Sequence, residues 1–180
     1  MNSIVVAASN PSRAKKIAAV LHSGGLFVSA AYSGGAQVIG FAGKHYHGGV
    51  IVCELKLQDM TALSLPQTVG PKYDFLFLVG PQFAGMAENL PYARLMLPVS
   101  RRSLIESVGM LLSLSEATPS AVRRKLGEEG FDPREEIRQA KILLREKYGM
   151  TEPQAHRFLQ KKSMNMGKRM AETAFLVLHS

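Results

Sequence analysis

Apolar and polar positions in the first two-thirds of the chain alternate between two periods. Short apolar runs at 3–8, 26–32, 49–55, 74–79 and 94–97 read as five strands. Between the first two, 11–22 carries Ala14, Ile17, Ala18 and Leu21 at helical spacing. Shorter helices are predicted over 34–42 and, weakly, over 61–69. A clear amphipathic helix is predicted over 100–115, with Leu104, Val108, Leu111 and Leu112 inward. The run 49–55 is apolar throughout, as expected at the centre of a parallel sheet. Strand–helix alternation with brief turns predicts a doubly wound parallel α/β domain over residues 1–116.

The pattern changes after residue 132. Asp132-Pro133-Arg134-Glu135 supplies an N-cap, a proline at the first helical position and a glutamate three residues after the cap. Ile137, Ala140, Leu144 and Tyr148 then form one apolar stripe, and Gly149 is a natural stop. Thr151 and Gln154 form a second capping box, flanked by Met150 and Ala155 as a hydrophobic staple. Ala155, Phe158 and Leu159 give the second helix its apolar face. Asn165 is expected to cap a third helix, in which Met170, Ala171, Ala174 and Leu178 align. A small three-helix domain is therefore predicted over 133–180. Thr118-Pro119 opens a short linker helix over 121–129 within 117–132; Gly127, Gly130 and Pro133 break it and suggest a hinge.

Composition narrows the function classes. The chain has 180 residues, of which 46% are hydrophobic, enough for one or two small domains with real cores. No apolar run approaches the ~20 residues of a membrane span. No signal-peptide pattern opens the sequence, so a cytoplasmic protein is expected. The one cysteine, Cys53, excludes an internal disulfide framework and reads as a small buried hydrophobe.

Charge changes the picture more. Between Arg138 and Arg169 nine basic residues face two acidic ones, within a net charge of +8 for the chain. A compact helical unit with that excess is a candidate nucleic-acid binder, because neutralising phosphates releases counterions. Charge alone leaves a solvated basic face without a partner equally open.

The stretch IRQAKILLREKYGMTEPQAHRFLQKKSMNMGKRMAETA resembles the ANTAR domain, a three-helix output module of certain bacterial response regulators. The likeness rests on Ala140-Lys141 with Leu144, Gly149-Met150-Thr151-Glu152, Ala155, Leu159, Ser163-Met164, Ala171 and Ala174. It implies binding to paired hairpins in leader transcripts, prevention of transcription termination, and a homodimer. On that reading Lys141, Arg145, Arg157, Lys161, Lys162, Lys168 and Arg169 contact RNA backbone, with Lys161-Lys162 most favoured. Gln160 and Asn165 are placed to reach unpaired bases. Some of the basic residues, Arg138 and Arg145 above all, are alternatively expected only to pair with Glu135 or Glu146.

The strand order of the first domain resembles the flavodoxin-like receiver domain of two-component response regulators. VCELKLQDMTAL is similar to the segment that presents the phosphoacceptor aspartate, and Leu97-Pro98-Val99-Ser100 to the lysine-proline turn. A working receiver needs carboxylates around a magnesium ion, an aspartate, a hydroxyl and a lysine. Here residues 1–53 contain no Asp or Glu, and Ala8, Ser9 and Asn10 fill the first turn. Glu54 stands at the phosphoacceptor position, no Ser or Thr lies near Val79-Gly80, and Leu97 replaces the lysine. A pseudo-receiver without phosphotransfer is expected, with neither cofactor nor metal. Glu54 reads either as a constitutive stand-in for phospho-aspartate or as drift in a domain kept for its shape.

A DNA-binding regulator and a protein-interaction adaptor remain as alternatives, and a regulatory protein partner is compatible with each. No nucleophile–base pair points to an enzyme. His45-Tyr46-His47 lacks the companions of a metal set and reads as an exposed turn. The paired glycines 24–25, 34–35 and 48–49 read as turns and not as a phosphate cradle.

Overall fold

The computed structural model describes residues 2–116 and 132–180. The expected linker helix over 121–129 lies outside them. Five parallel strands, β1 (Ser3–Ala7), β2 (Val28–Tyr32), β3 (Gly49–Glu54), β4 (Tyr73–Val79) and β5 (Ala93–Met96), form one sheet in the order β2-β1-β3-β4-β5. As the unbroken apolar run requires, β3 sits at the centre and is buried along its whole length. Helices α1 (Pro11–Ser23), α2 (Gly35–Lys44), α3 (Leu65–Val69), α4 (Ala84–Ala87) and α5 (Arg101–Glu116) connect the strands or follow them. Two differences from the sequence reading stand out. The second strand begins two residues later than expected, and the one-turn α4 after Pro81 had no periodic signal of its own.

Each face of the sheet buries its own core. Val5, Ala7, Ile51, Cys53, Phe75, Phe77 and Val79 point to the side of α2, α3 and α4. The alternate residues Ile4, Val6, Val50, Val52, Leu76 and Leu78 point to the side of α1 and α5. That second core does not stop at α5. It continues into three further helices, α6 (Pro133–Tyr148), α7 (Glu152–Met166) and α8 (Met170–Leu178), through Ala140, Leu144, Phe158, Leu159, Ala174 and Val177. The helical unit therefore packs directly on the α/β domain, against α5 and β5.

Local chemistry fixes the helix ends. Asp132 accepts from the Arg134 amide at 3.0 Å, and Gly149 closes α6 at φ +67°. The capping box at the start of α7 is formed: Thr151 N–H donates to Gln154 Oε1 at 2.8 Å, and Gln154 N–H to Thr151 Oγ1 at 3.4 Å. Met150 and Ala155 are buried beside it. The expectation for Asn165 is corrected. α7 runs through Asn165 to Met166 and ends at Gly167, whose φ of +61° suits glycine; the Arg169 amide at the start of α8 donates instead to the Glu172 carboxylate. α2 has glycine at its N-cap, so a distant residue serves it. The Asp59 carboxylate accepts from Gly35 N–H at 2.7 Å and Ala36 N–H at 3.0 Å, which holds it below the usual carboxylate range.

One glycine pair is demanded by close approach. A Cβ on Gly49 would lie 1.9 Å from the Ser3 carbonyl oxygen, and one on Gly48 would lie 2.2 Å from that of Lys72. Gly49→Ala is therefore expected to cost about 3 kcal/mol or more of stability, since the clash is with backbone in the central strands. Urea denaturation of the two proteins checks this.

Candidate functional sites

Two regions carry the residues singled out above. The first is a cavity of about 310 Å³ at the C-terminal ends of the strands, lined by Ser9, Arg13, Glu54, Lys56, Gln82 and Leu97 among others. Glu54 ends β3 and projects into it. The Arg13 guanidinium pairs with Glu54 Oε1 at 2.6 Å, and the Ser9 amide donates to Oε2 at 2.8 Å. Both carboxylate oxygens are thus engaged by groups of the first turn and of α1. A magnesium ion needs several oxygen ligands in near-octahedral array. The residues here do not fit one, because the single carboxylate already has an arginine where the cation would sit. Among the described residues no group of three His, Cys, Asp or Glu could hold a metal. Cys53, directly before Glu54, is fully buried, and burial pushes its thiol pKa well up, as suits a packing residue.

The second region is the seam between the α/β domain and α7. It contains the lysines most favoured for nucleic acid. Lys162 is 6% exposed, and its ammonium pairs with the Asp74 carboxylate near the start of β4. Burial pushes the Asp74 carboxyl pKa up, and Lys162 offsets this only in part. Lys161 donates to the Tyr92 hydroxyl at 2.5 Å and lies 4.4 Å from the centre of that ring. Two turns back along α7, Gln154 Nε2 donates to the Ala87 carbonyl at 3.3 Å and to that of Glu88. The same face of α7 thus meets β4, the residues before β5 and the end of α4.

The remaining residues are divided. Lys141 pairs with Glu152 at 2.5 Å, and Arg145 reaches the same carboxylate at 3.6 Å rather than Glu146. Arg138 pairs with Glu135 at 2.6 Å, as its spacing suggested. Arg157, Gln160, Asn165 and Arg169 are exposed, while Lys168 is half-buried. Arg157 and Gln160 lie on α7 beyond the seam; Asn165 and Lys168 line its lower end. The sequence reading missed Asp74, Tyr92, Arg13 and the docking role of Gln154. Asp74 had a signal: it is the only charge in the strand YDFLFLV. Arg13 had none.

Residues 128–178 match the family model of the ANTAR domain. The C-terminal helical unit is an ANTAR domain. This family consists of RNA-binding antitermination modules. Solved structures that resemble the chain include the following three. A response regulator receiver protein from Sinorhizobium medicae is 17% identical, with a TM-score of 0.54 over 64% of this chain and 97% of its own. Full-length FixJ from B. japonicum is 15% identical, with a TM-score of 0.55 over 99% of this chain and 98% of its own. The RcsB response regulator of Salmonella typhimurium is 14% identical, with a TM-score of 0.51 over 94% of each chain. At such identities the likeness is one of fold. No curated protein matches the sequence. The architecture is a receiver-like α/β domain followed by the ANTAR domain, and among the described residues no helix is long and apolar enough to cross a membrane.

The seam makes a direct prediction about lysine reactivity. With an amine-acylating reagent, the exposed Lys15 and Lys16 of α1 react first. Lys162 is expected to lag them by about tenfold or more, because a buried ammonium in an ion pair with Asp74 is shielded from the reagent. Peptide mass spectrometry over a time course measures it.

Proposed function

We propose that the chain is an RNA-binding regulator of transcription antitermination, acting on paired hairpins of leader transcripts, whose receiver-like domain works without phosphorylation. The observation that carries this is the ANTAR match over the helices that bear the basic excess. The mechanism is binding. Lys141, Arg145, Arg157, Lys161, Lys162, Lys168 and Arg169 supply backbone contacts, and Gln160 and Asn165 supply contacts to unpaired bases. A second copy of the chain would let one assembly span both hairpins.

The seam bears on how such binding is controlled. Lys161 and Lys162 meet Tyr92 and Asp74, an aromatic ring and an anion, in the places where a base and a phosphate would be met. RNA and the receiver-like domain then compete for the same two ammonium groups. In the receiver cavity, the Arg13–Glu54 pair neutralises the charge that a phospho-aspartate mimic would have to present. We therefore favour a domain kept for its shape over a permanently activated one.

Two experiments test the reading. Asp74→Ala leaves Lys162 buried without its partner, which costs the closed seam ~3 kcal/mol. Affinity for a paired-hairpin leader RNA should rise by about tenfold or more. Lys161→Glu in the Asp74→Ala background should abolish the gain with the helical circular-dichroism signal intact. Gel shifts at two salt concentrations, with duplex DNA in parallel, read both; preference for the duplex would favour a DNA regulator. Incubation with acetyl phosphate and magnesium should leave the intact mass unchanged, and a phospho-adduct would overturn the phosphorylation-independent reading.

A further inference from the structure

The cavity at the C-terminal ends of the strands contains more than the Arg13–Glu54 pair. Residues following β1 and β3 line it, and these are the strands at which the sheet order reverses. Open parallel α/β sheets take their ligands at that place. The volume of about 310 Å³ suits a small molecule. Leu55, Leu78, Phe83 and Leu97 supply apolar wall. Two polar side chains of the lining are unengaged. Lys56 is exposed, and among the described residues no carboxylate pairs with it. The Gln82 amide lies so close over Gly80 that a Cβ there would meet Oε1 at 2.7 Å, and it has no hydrogen-bond partner among the described residues. Arg13 and Glu54 cancel, so Lys56 leaves a single positive charge. A dianion would bring a second negative charge beside Glu54; a monoanion would not.

The wall of this cavity is continuous with the seam. Residues 80–83 run directly into α4, and the Phe83 amide donates to the Gly80 carbonyl at 2.9 Å. At the far end of α4 the Ala87 and Glu88 carbonyls accept from Gln154 of α7. One short segment thus lines the cavity at its start and holds the docked helix at its end. We propose that the cavity binds a small organic monocarboxylate, with Lys56 and Gln82 on the carboxylate and the apolar body against Phe83 and the leucines, and that the bound acid favours the closed seam. A lysine ammonium and an amide N–H both donate to a carboxylate. The cavity has this shape while α4 holds Gln154, so a molecule that fits it binds the closed form better. Neither binding nor the effect on the seam depends on the RNA reading. One consequence does rest on it: an acid that prefers the closed seam and an RNA that needs it open must weaken each other's binding equally.

The probes are benzoate, butyrate and acetate, the neutral benzamide and butyramide, and inorganic phosphate. They are titrated into the full chain and followed by the Gln82 side-chain amide resonances and by lysine acylation. Benzoate or butyrate should shift the Gln82 amide and slow acylation of Lys56, with Lys15 and Lys16 unaffected. The matching amide, acetate and phosphate should each bind about fivefold more weakly or worse. Lys56→Ala should weaken the acid by about threefold or more, with the thermal midpoint of the free protein unchanged, and Leu97→Ala by a similar factor. At saturating acid, acylation of Lys162 should slow by about threefold or more. Equal binding of acid and amide overturns the proposal, as does affinity indifferent to Lys56 or a Lys162 rate unchanged at saturation. Phosphate binding as tight as that of benzoate would make the cavity a plain anion site, and the proposal falls. If the acid binds and slows Lys162 while no leader hairpin binds, the cavity stands and the antitermination reading fails. If a hairpin binds and neither acid does, the reverse holds.

Discussion

The structure depends on α5 being buried from two sides. Leu104, Val108, Leu111 and Leu114 are all essentially inaccessible, and they belong to a core that begins at the sheet and ends at α8. A helix with one apolar stripe satisfies one layer. α5 serves two, and its fully buried Ser107 donates its hydroxyl to the Ser103 carbonyl of the same helix at 2.7 Å. Removing the C-terminal helices would bare one side of that core. The two domains are distinct in pattern but share one hydrophobic interior.

On that apolar contact the polar groups of the seam are superimposed, and they are of a different kind. The Lys162–Asp74 pair is buried with its desolvation only partly offset. Such a pair adds little net stability while present, yet its rupture from one side is costly. It acts as a register for how α7 lies on β4 rather than as glue. The receiver cavity shows the opposite economy: Arg13 and the Ser9 amide satisfy Glu54 at the sheet's other end, so that carboxylate is electrostatically settled without an ion.

Much of this was legible in the sequence. The five strands, the central position of β3, the stripe of α6 and both of its caps followed from period and end chemistry, since each is decided within about one turn or one strand. The ANTAR likeness was carried by local spacing for the same reason. What could not be read was anything decided by docking. Lys161-Lys162 looked like an exposed basic pair because nothing within α7 pairs with it; its partners Tyr92 and Asp74 lie 69 and 88 residues away. Asn165 failed as a cap because α7 continued past it until Gly167 offered a left-handed stop. Arg13 sits 41 positions before Glu54, and only the parallel pairing of β1 with β3 brings them to one rim.

Gln154 has two jobs that use different atoms. Its carbonyl oxygen closes the box with Thr151, and its amide nitrogen reaches the carbonyls at the end of α4. The start of α7 is therefore made within the ANTAR domain itself and owes nothing to the neighbour. If the seam parts, the amide exchanges two carbonyls for water while the box stays shut. The helices would then leave as a finished body, and the energetic barrier to parting is that of wetting a surface rather than of melting a fold.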